Sequence, residues 1–206
     1  MKVELKMIVV LTAVALISGM VLGFTHTKTK PKIDENLRLA VERALKAVIP
    51  ETYSYEKKVI DRHTTAFIAK DSTDQLVGYG VMIEGSGFQG PIKLMVGFTK
   101  DGEKLTGIEV IENVETPGLG NRIVEDWFKE QFKERVIPIK VVKGRSPENE
   151  HEIQAITGAT ISSKSVVRIV NEAHDKLLQG GYIQLEPNKK KQTDSSDAIS
   201  SATLTG

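Results

Sequence analysis

The residues Thr157-Gly158-Ala159-Thr160-Ile161-Ser162-Ser163-Lys164 set hydroxyls, a glycine and a small residue directly before a stretch with helical periodicity. Apolar Val166, Ile169, Val170, Ala173 and Leu177 recur there at the spacing of one helix face, which predicts a helix from about Ser162 to Gln179 ending before Gly180-Gly181. Thr160 then falls at or just before a helix N-terminus, with Ser162 or Ser163 as candidate caps. The first N–H groups of a helix have no intrahelical acceptor, and the macrodipole favours an anion there by roughly 0.3–1 kcal/mol at an exposed end. Gly158 lets a bulky ligand come close to the backbone. The chemistry offered is that of a phosphate-like anion beside a threonine hydroxyl. Neither an evident nucleophile–base pair nor a Gly-x-Gly-x-x-Gly fingerprint accompanies it, so Thr160 reads as a point of attachment and not as a catalytic group.

Two further segments precede this one. Glu115-Thr116-Pro117-Gly118-Leu119-Gly120 holds a turn in which Pro117 sets φ and Gly118 permits a positive one. Gly87-Phe88-Gln89-Gly90-Pro91-Ile92 is a glycine-rich loop. Taken in order, the three segments resemble those of the FMN-binding domains found in the G subunit of Rnf-type redox complexes and in the C subunit of sodium-translocating NADH:quinone reductases. Thr157–Thr160 resembles their Ser/Thr-Gly-Ala-Thr flavinylation motif, and Phe88 stands where tyrosine is usual. The resemblance covers most of the chain and fits the Rnf G subunit best.

That resemblance implies one FMN per chain, joined to Thr160 through a phosphoester by a separate flavin transferase that uses FAD as donor. It implies that Thr157, Gly158, Ala159 and Ser162 surround the phosphate, and that Thr116, Gly118 and Leu119 lie against the flavin. Glu115 is read either as a flavin contact, as an orienter of a neighbouring amide, or as an exposed loop carboxylate. The family motif usually begins with aspartate three residues before the first hydroxyl, where this chain has Gln154, with Glu152 two residues earlier. The implied function is that of a flavin-carrying subunit in a membrane complex that couples electron transfer to ion translocation, relaying electrons without substrate turnover of its own. The alternative is a membrane-tethered FMN-binding module of another reductase or regulatory system. Neighbouring subunits and the transferase are the implied partners.

The elements that must position these residues follow from periodicity. Met7 to Phe24 carries no charge and is just long enough, at about 1.5 Å per residue, to cross a hydrocarbon core of about 30 Å. A cleavable signal peptide is the rival reading, but an Ala-x-Ala site is absent, and an uncleaved anchor over residues 1–24 is expected. A polar linker at 25–35, containing Pro31, leads to a helix from Asn36 that presents Leu37, Ala40, Val41, Ala44, Leu45 and Val48 on one side and stops at Pro50. Thr65–Lys70, Leu76–Glu84, Ile92–Thr99 and Leu105–Asn113 alternate as strands, with Asp101-Gly102 as a hairpin turn. A helix over Ile123–Phe132 and a strand over Val136–Val142 follow, with Trp127 expected in the core. The expected fold is α+β: one FMN-binding domain at 36–186 with an antiparallel sheet and packed helices, preceded by one transmembrane helix, and a disordered tail at 187–206 that contains Lys189-Lys190-Lys191.

Composition narrows the chemistry further. With no cysteine, disulfides, thiolate catalysis and cysteine-ligated iron–sulfur clusters are excluded. His26, His63, His151 and His174 show no zinc-type spacing and read as surface or loop residues. A net charge of +1 with interspersed signs gives no nucleic-acid footprint. Lys2 and Lys6 flank one end of the apolar segment and Lys28, Lys30 and Lys32 the other, so lysine counts do not select an orientation. Resemblance puts the globular part on the periplasmic, outer face of the cytoplasmic (inner) membrane, with a single pass.

Overall fold

The computed structural model describes residues 2–183, with side chains from residue 4; the tail expected at 187–206 lies outside the described residues. The chain forms two compact units, one up to Glu42 and one from Arg43 onward. Helix α1 runs over Lys2–Val48, 47 residues or about 70 Å of helix; the first unit holds it up to Glu42, and its apolar side chains from Leu5 to Phe24 are exposed. It is long and apolar enough to cross a membrane. The stretch 25–35, read as a linker, is helical: Pro31 lies inside α1. With Thr25, Thr27, Thr29 and Pro31 the stretch has poor intrinsic helix propensity, and the helical segments on both sides carry it. The helix ends two residues before Pro50, as expected.

The second unit is built on one antiparallel sheet, β1 (Ser54–Val59), β2 (Thr64–Lys70), β3 (Leu76–Ser86), β4 (Pro91–Thr99) and β5 (Leu105–Asn113), paired in chain order. Strand β1 has no counterpart among the expected elements. Its residues are exposed throughout, so no buried side chain imposes alternation, and Lys57 and Lys58 guard an edge strand against further pairing. The other four strands match expectation within a few residues. One face, with Val81, Ile83, Leu94, Val96 and Phe98, packs into the main core. On the other, Leu45, Val48 and Ile49 at the end of α1 lie over Gly80, Gly97 and Gly78, where any side chain would collide with them or the sheet backbone.

After β5 the expected single helix at 123–132 is broken into a 3-10 turn (Gly120–Val124), the short helix α2 (Asp126–Lys129) and a second 3-10 turn (Glu130–Phe132). Ile123, Phe128 and Phe132 are still fully buried while Trp127 is not, so most of the apolar residues reach the core without a regular helix. The strand expected from Val136 shrinks to β6 (Lys140–Val142), because Pro138 has no N–H to give to a ladder. It pairs in parallel with an unforeseen strand, β7 (Glu152–Gln154). Helix α3 covers Thr160–Gln179 and buries Val166, Ile169, Val170, Ala173 and Leu177 against the sheet. Each such side chain contributes about 1.5–3 kcal/mol, which fixes where α3 begins in space as well as where it lies.

Candidate functional site

At the N-terminus of α3 an open cavity of about 320 Å³ is walled by the loop before β4, the segment after β5, the residue after β6 and the first turn of α3. Glu115, Thr116, Leu119, Gly158, Ala159, Thr160 and Ser162 all line it. Of the residues read from the sequence, only Thr157 and Gly118 do not, and each is the chain neighbour of one that does. Phe88, Gly120, Lys143 and Ile161 complete the lining.

The link between these segments is Glu115, which is 4% exposed. Its Oε1 accepts the backbone N–H groups of Phe88 (2.6 Å) and Gln89 (3.1 Å), and its Oε2 accepts the Ser162 hydroxyl at 2.6 Å. One carboxylate thus ties the glycine-rich loop and the turn after β5 to the first turn of α3. Space for it depends on two glycines: a Cβ at Gly87 would collide with Oε1, and one at Gly120 with both Oε2 and the Ser162 Oγ. The exposed-carboxylate reading of Glu115 is therefore wrong, and its orienting of neighbouring amides is direct. A glutamate in a Pro-Gly loop gives no sequence signal for burial, because its partners come from 26 or more residues away.

The start of α3 differs from expectation in a way that matters. Ala159 occupies the cap position and no side chain caps the helix. Ser162 is engaged by Glu115, while Ser163 donates to the Ala159 carbonyl (3.0 Å) and accepts from the Ile156 N–H (3.0 Å). The first i to i−4 bond is Ser163 N–H to Ala159 O at 3.1 Å, so the N–H groups of Thr160, Ile161 and Ser162 have no intrahelical acceptor. Thr160 is half-buried on this turn. Gly158 has φ of +82°, a conformation that admits the chain into the helix and that a side chain would strain.

Opposite, the Thr116–Leu119 turn closes with a Leu119 N–H to Thr116 O bond of 3.1 Å, and the Thr116 hydroxyl donates to Gln89 Oε1 at 2.6 Å. Three large apolar side chains stand at the cavity yet face solvent: Phe88 (63% exposed), Ile161 (56%) and Leu119 (47%). Exposed apolar groups collected around one concave site are the pattern of a binding surface for an apolar group. Lys143 and Ile161 were not singled out from the sequence. Lys143 follows a short strand whose place beside α3 only the fold reveals.

Other expectations resolve away from the cavity. Trp127 is at the surface and not in the core; its indole N–H donates to Glu125 and Arg122 lies 5.5 Å from the ring centroid. His174 is buried, not a surface residue, and packs 5.9 Å from the Phe98 ring; burial lowers its pKa. Gln154 and Glu152 share one face of β7. Glu152 is held by a two-pronged pair with Arg145 (both 2.8 Å) and by the Glu148 N–H, which bring its pKa down to about 2. Among the described residues no group of His, Asp and Glu is placed to hold a metal ion.

Residues 87–175, which span all three cavity segments, match the model of the FMN-binding domain family. The chain is 30% identical to the G subunit of the ion-translocating oxidoreductase complex of Methanosarcina acetivorans, over 82% of this chain and 92% of that one. It is 32% identical to the G subunit of the sodium-translocating ferredoxin:NAD oxidoreductase complex of Acetobacterium woodii, over 82% and 89%. Among solved structures it is similar to NqrC of Shewanella oneidensis, with a TM-score of 0.50 and 26% identity over 59% of this chain and 63% of that chain.

Proposed function

We propose, from the premise that this chain belongs to the family of G subunits of ion-translocating oxidoreductase complexes, that its cavity holds one FMN joined through a phosphoester to Thr160. The chain is the flavin-carrying subunit of a membrane-bound complex that couples electron transfer to ion translocation. The observation that carries the attachment is the position of Thr160: a hydroxyl on the wall of an open cavity, on a helix turn with backbone N–H groups to spare, facing exposed apolar side chains.

The residues fit the group. The N–H groups of Thr160, Ile161 and Ser162 suit a phosphate, and Phe88, Leu119 and Ile161 suit the faces or edge of an isoalloxazine ring. The cavity volume is that of an ordinary small-molecule site. Attachment is a substitution at phosphorus: the Thr160 oxygen bonds to the FMN-side phosphorus of FAD, the pyrophosphate P–O bond breaks, AMP leaves, and the hydroxyl proton passes to a base of the transferase. Bound FMN passes one or two electrons, and the protein supplies placement and tuning. Glu115 keeps the walls in register, Gly158 shapes the approach to Thr160, and the apolar mouth excludes water from the ring.

Helix α1 spans the membrane once and the globular unit lies on its outer face. Lysine counts are indifferent to this orientation, and long domains translocate with little regard to charge.

Intact-mass analysis after co-production with a flavin transferase tests the attachment. The chain is expected to gain the mass of one FMN less one water, and peptide mapping to place it on Thr160. Thr160→Ala should fold and lose all denaturation-resistant flavin; flavin surviving denaturation in that variant refutes the site. Gln154→Asp should be modified at least as completely as the parent. A reporter fused after Gly180 that is active in the cytoplasm overturns the orientation.

A further inference from the structure

We propose that Lys143 is the phosphate-binding cation of this site, offsetting the uncompensated charge of Glu115; this rests on the reading that the cavity takes a flavin phosphate at Thr160. The cavity wall carries two charged side chains, Glu115 and Lys143. Every hydrogen bond that the Glu115 carboxylate accepts comes from a neutral donor: two backbone N–H groups and one hydroxyl. Its negative charge is stabilised by hydrogen bonds but not cancelled by a cation, and it bears on any anion brought into the same space.

The Ser162 hydroxyl has a single proton, and that proton is given to Glu115. Ser162 therefore offers a phosphate only its backbone N–H. The sequence reading has the backbone N–H groups around Thr157 to Ser162 hold the phosphate, and the geometry leaves Ser162 that backbone role alone. A phosphodiester on Thr160 carries one full negative charge, which the partial charge of the α3 terminus only partly balances.

Lys143 is the residue placed to complete the balance. It is exposed, stands directly after β6 and lines the same cavity as Thr160. Among the described residues no carboxylate lies within ion-pairing distance of it, whereas its neighbour Arg145 is held by Glu152 and Glu148. Lys140, Lys164 and Arg168 line a different groove, on the β6 side of α3. An unpaired ammonium on a flexible stem suits a phosphate as a point charge.

The test uses the full chain in detergent, with flavin transferase and FAD supplied. Lys143→Met should lower the initial rate of flavin attachment about tenfold, the loss of one charge-assisted contact, and Lys143→Arg should stay within about threefold of the parent. On the fully modified proteins, the ³¹P resonance of the phosphodiester should move in Lys143→Met and be restored in Lys143→Arg, with melting temperatures unchanged in both. Attachment at the parent rate in Lys143→Met overturns the proposal. Slower attachment with an unmoved ³¹P resonance also overturns it, by assigning Lys143 to the transferase encounter. A parent chain that accepts no flavin fails at the underlying reading instead, and takes this proposal down with it.

Discussion

The two ends of helix α3 use the same kinds of residue in opposite ways. At the C-terminal end, Leu177 and Ile183 are buried, while Lys176 and Asp61 meet at the surface, Nζ to Oδ2, at 2.7 Å. The Tyr79 hydroxyl donates to the Tyr182 carbonyl at 2.9 Å and fastens the chain as it leaves the helix. At the N-terminal end the pattern is inverted: a carboxylate is buried without a cation, and Phe88, Leu119 and Ile161 face solvent. A helix end optimised for stability alone would resemble the first. The inversion is what the proposed reading of the second end as a binding end requires: an apolar mouth and free N–H groups suited to an anion.

The sharpest way to break this comparison is Glu115→Ala. It leaves the Phe88 and Gln89 N–H groups and the Ser162 hydroxyl without their shared acceptor, which costs about 2–4 kcal/mol. The melting temperature should fall by roughly 5–12 °C for a chain of this size, and flavin attachment at Thr160 should fall with it. Glu115→Gln should recover more than half of both, since its carbonyl oxygen accepts the two amides and its NH₂ donates to Ser162 Oγ. A melting temperature unchanged in Glu115→Ala would mean that the three wall segments hold together without the carboxylate.

Gly120→Ala attacks the same latch by crowding. The added Cβ meets both Glu115 Oε2 and Ser162 Oγ, so the hydrogen bond between them must open or the turn must shift, for about 1–3 kcal/mol. Thermal melts and attachment rates should both decline, less than in Glu115→Ala. Wild-type behaviour would show that the turn after β5 yields freely and that its glycine is no part of the design.

Much of this site was legible before the fold was known, and the missing parts share a cause. Thr160, Gly158 and the Thr116–Leu119 turn announce themselves because their signals are local: a helix pattern, a Pro-Gly pair, small residues in a row. The β2 to β5 strands were legible for the same reason, as short runs of β-branched, aromatic and other apolar residues bounded by turn residues, although β2 and β4 are buried on both faces and do not alternate. Lys143 was hidden, and the choice among the readings of Glu115 stayed open, because what decides both is who stands opposite, across separations such as the 47 residues between Glu115 and Ser162. Strand β1 was hidden because it is polar on both sides, and β7 because three residues are too few to show a period. The 25–35 stretch misled through Pro31, a genuine breaker signal overridden by the helix on either side.

Acidity should separate the two ends next. His174 lies near the C-terminal end of α3, and desolvation lowers its pKa although Asp175 and a hydrogen bond with the Gly102 backbone act in the other direction. The folded state then holds fewer protons than the unfolded one, so stability is complete above the ordinary histidine value of about 6.5 and declines as pH falls below it. Melting temperature against pH should bend downward in that range. His174→Gln should remove the bend while lowering the plateau, because a neutral amide pays no charging cost. A bend that persists in this variant would locate the titration elsewhere.

The smallest effect is expected from the surface pair itself. The Lys176 ammonium, with help from the His63 backbone N–H, brings the Asp61 carboxyl down from 3.8 to about 2. A carboxylate with a depressed pKa contributes stability that is complete above its unfolded value and is lost as pH falls through the folded one, here between about pH 4 and pH 2. The pair is solvent-screened, so Asp61→Asn should shift the melting temperature at pH 7 by less than about 2 °C. Its acid limb should flatten only in part, because Glu152 titrates in the same range beside Arg145. Flavin attachment in Asp61→Asn should match the parent. If instead this distant exposed change slowed attachment as Glu115→Ala does, the two ends of α3 would be coupled along the helix, and the division between a structural end and a binding end would have to be given up.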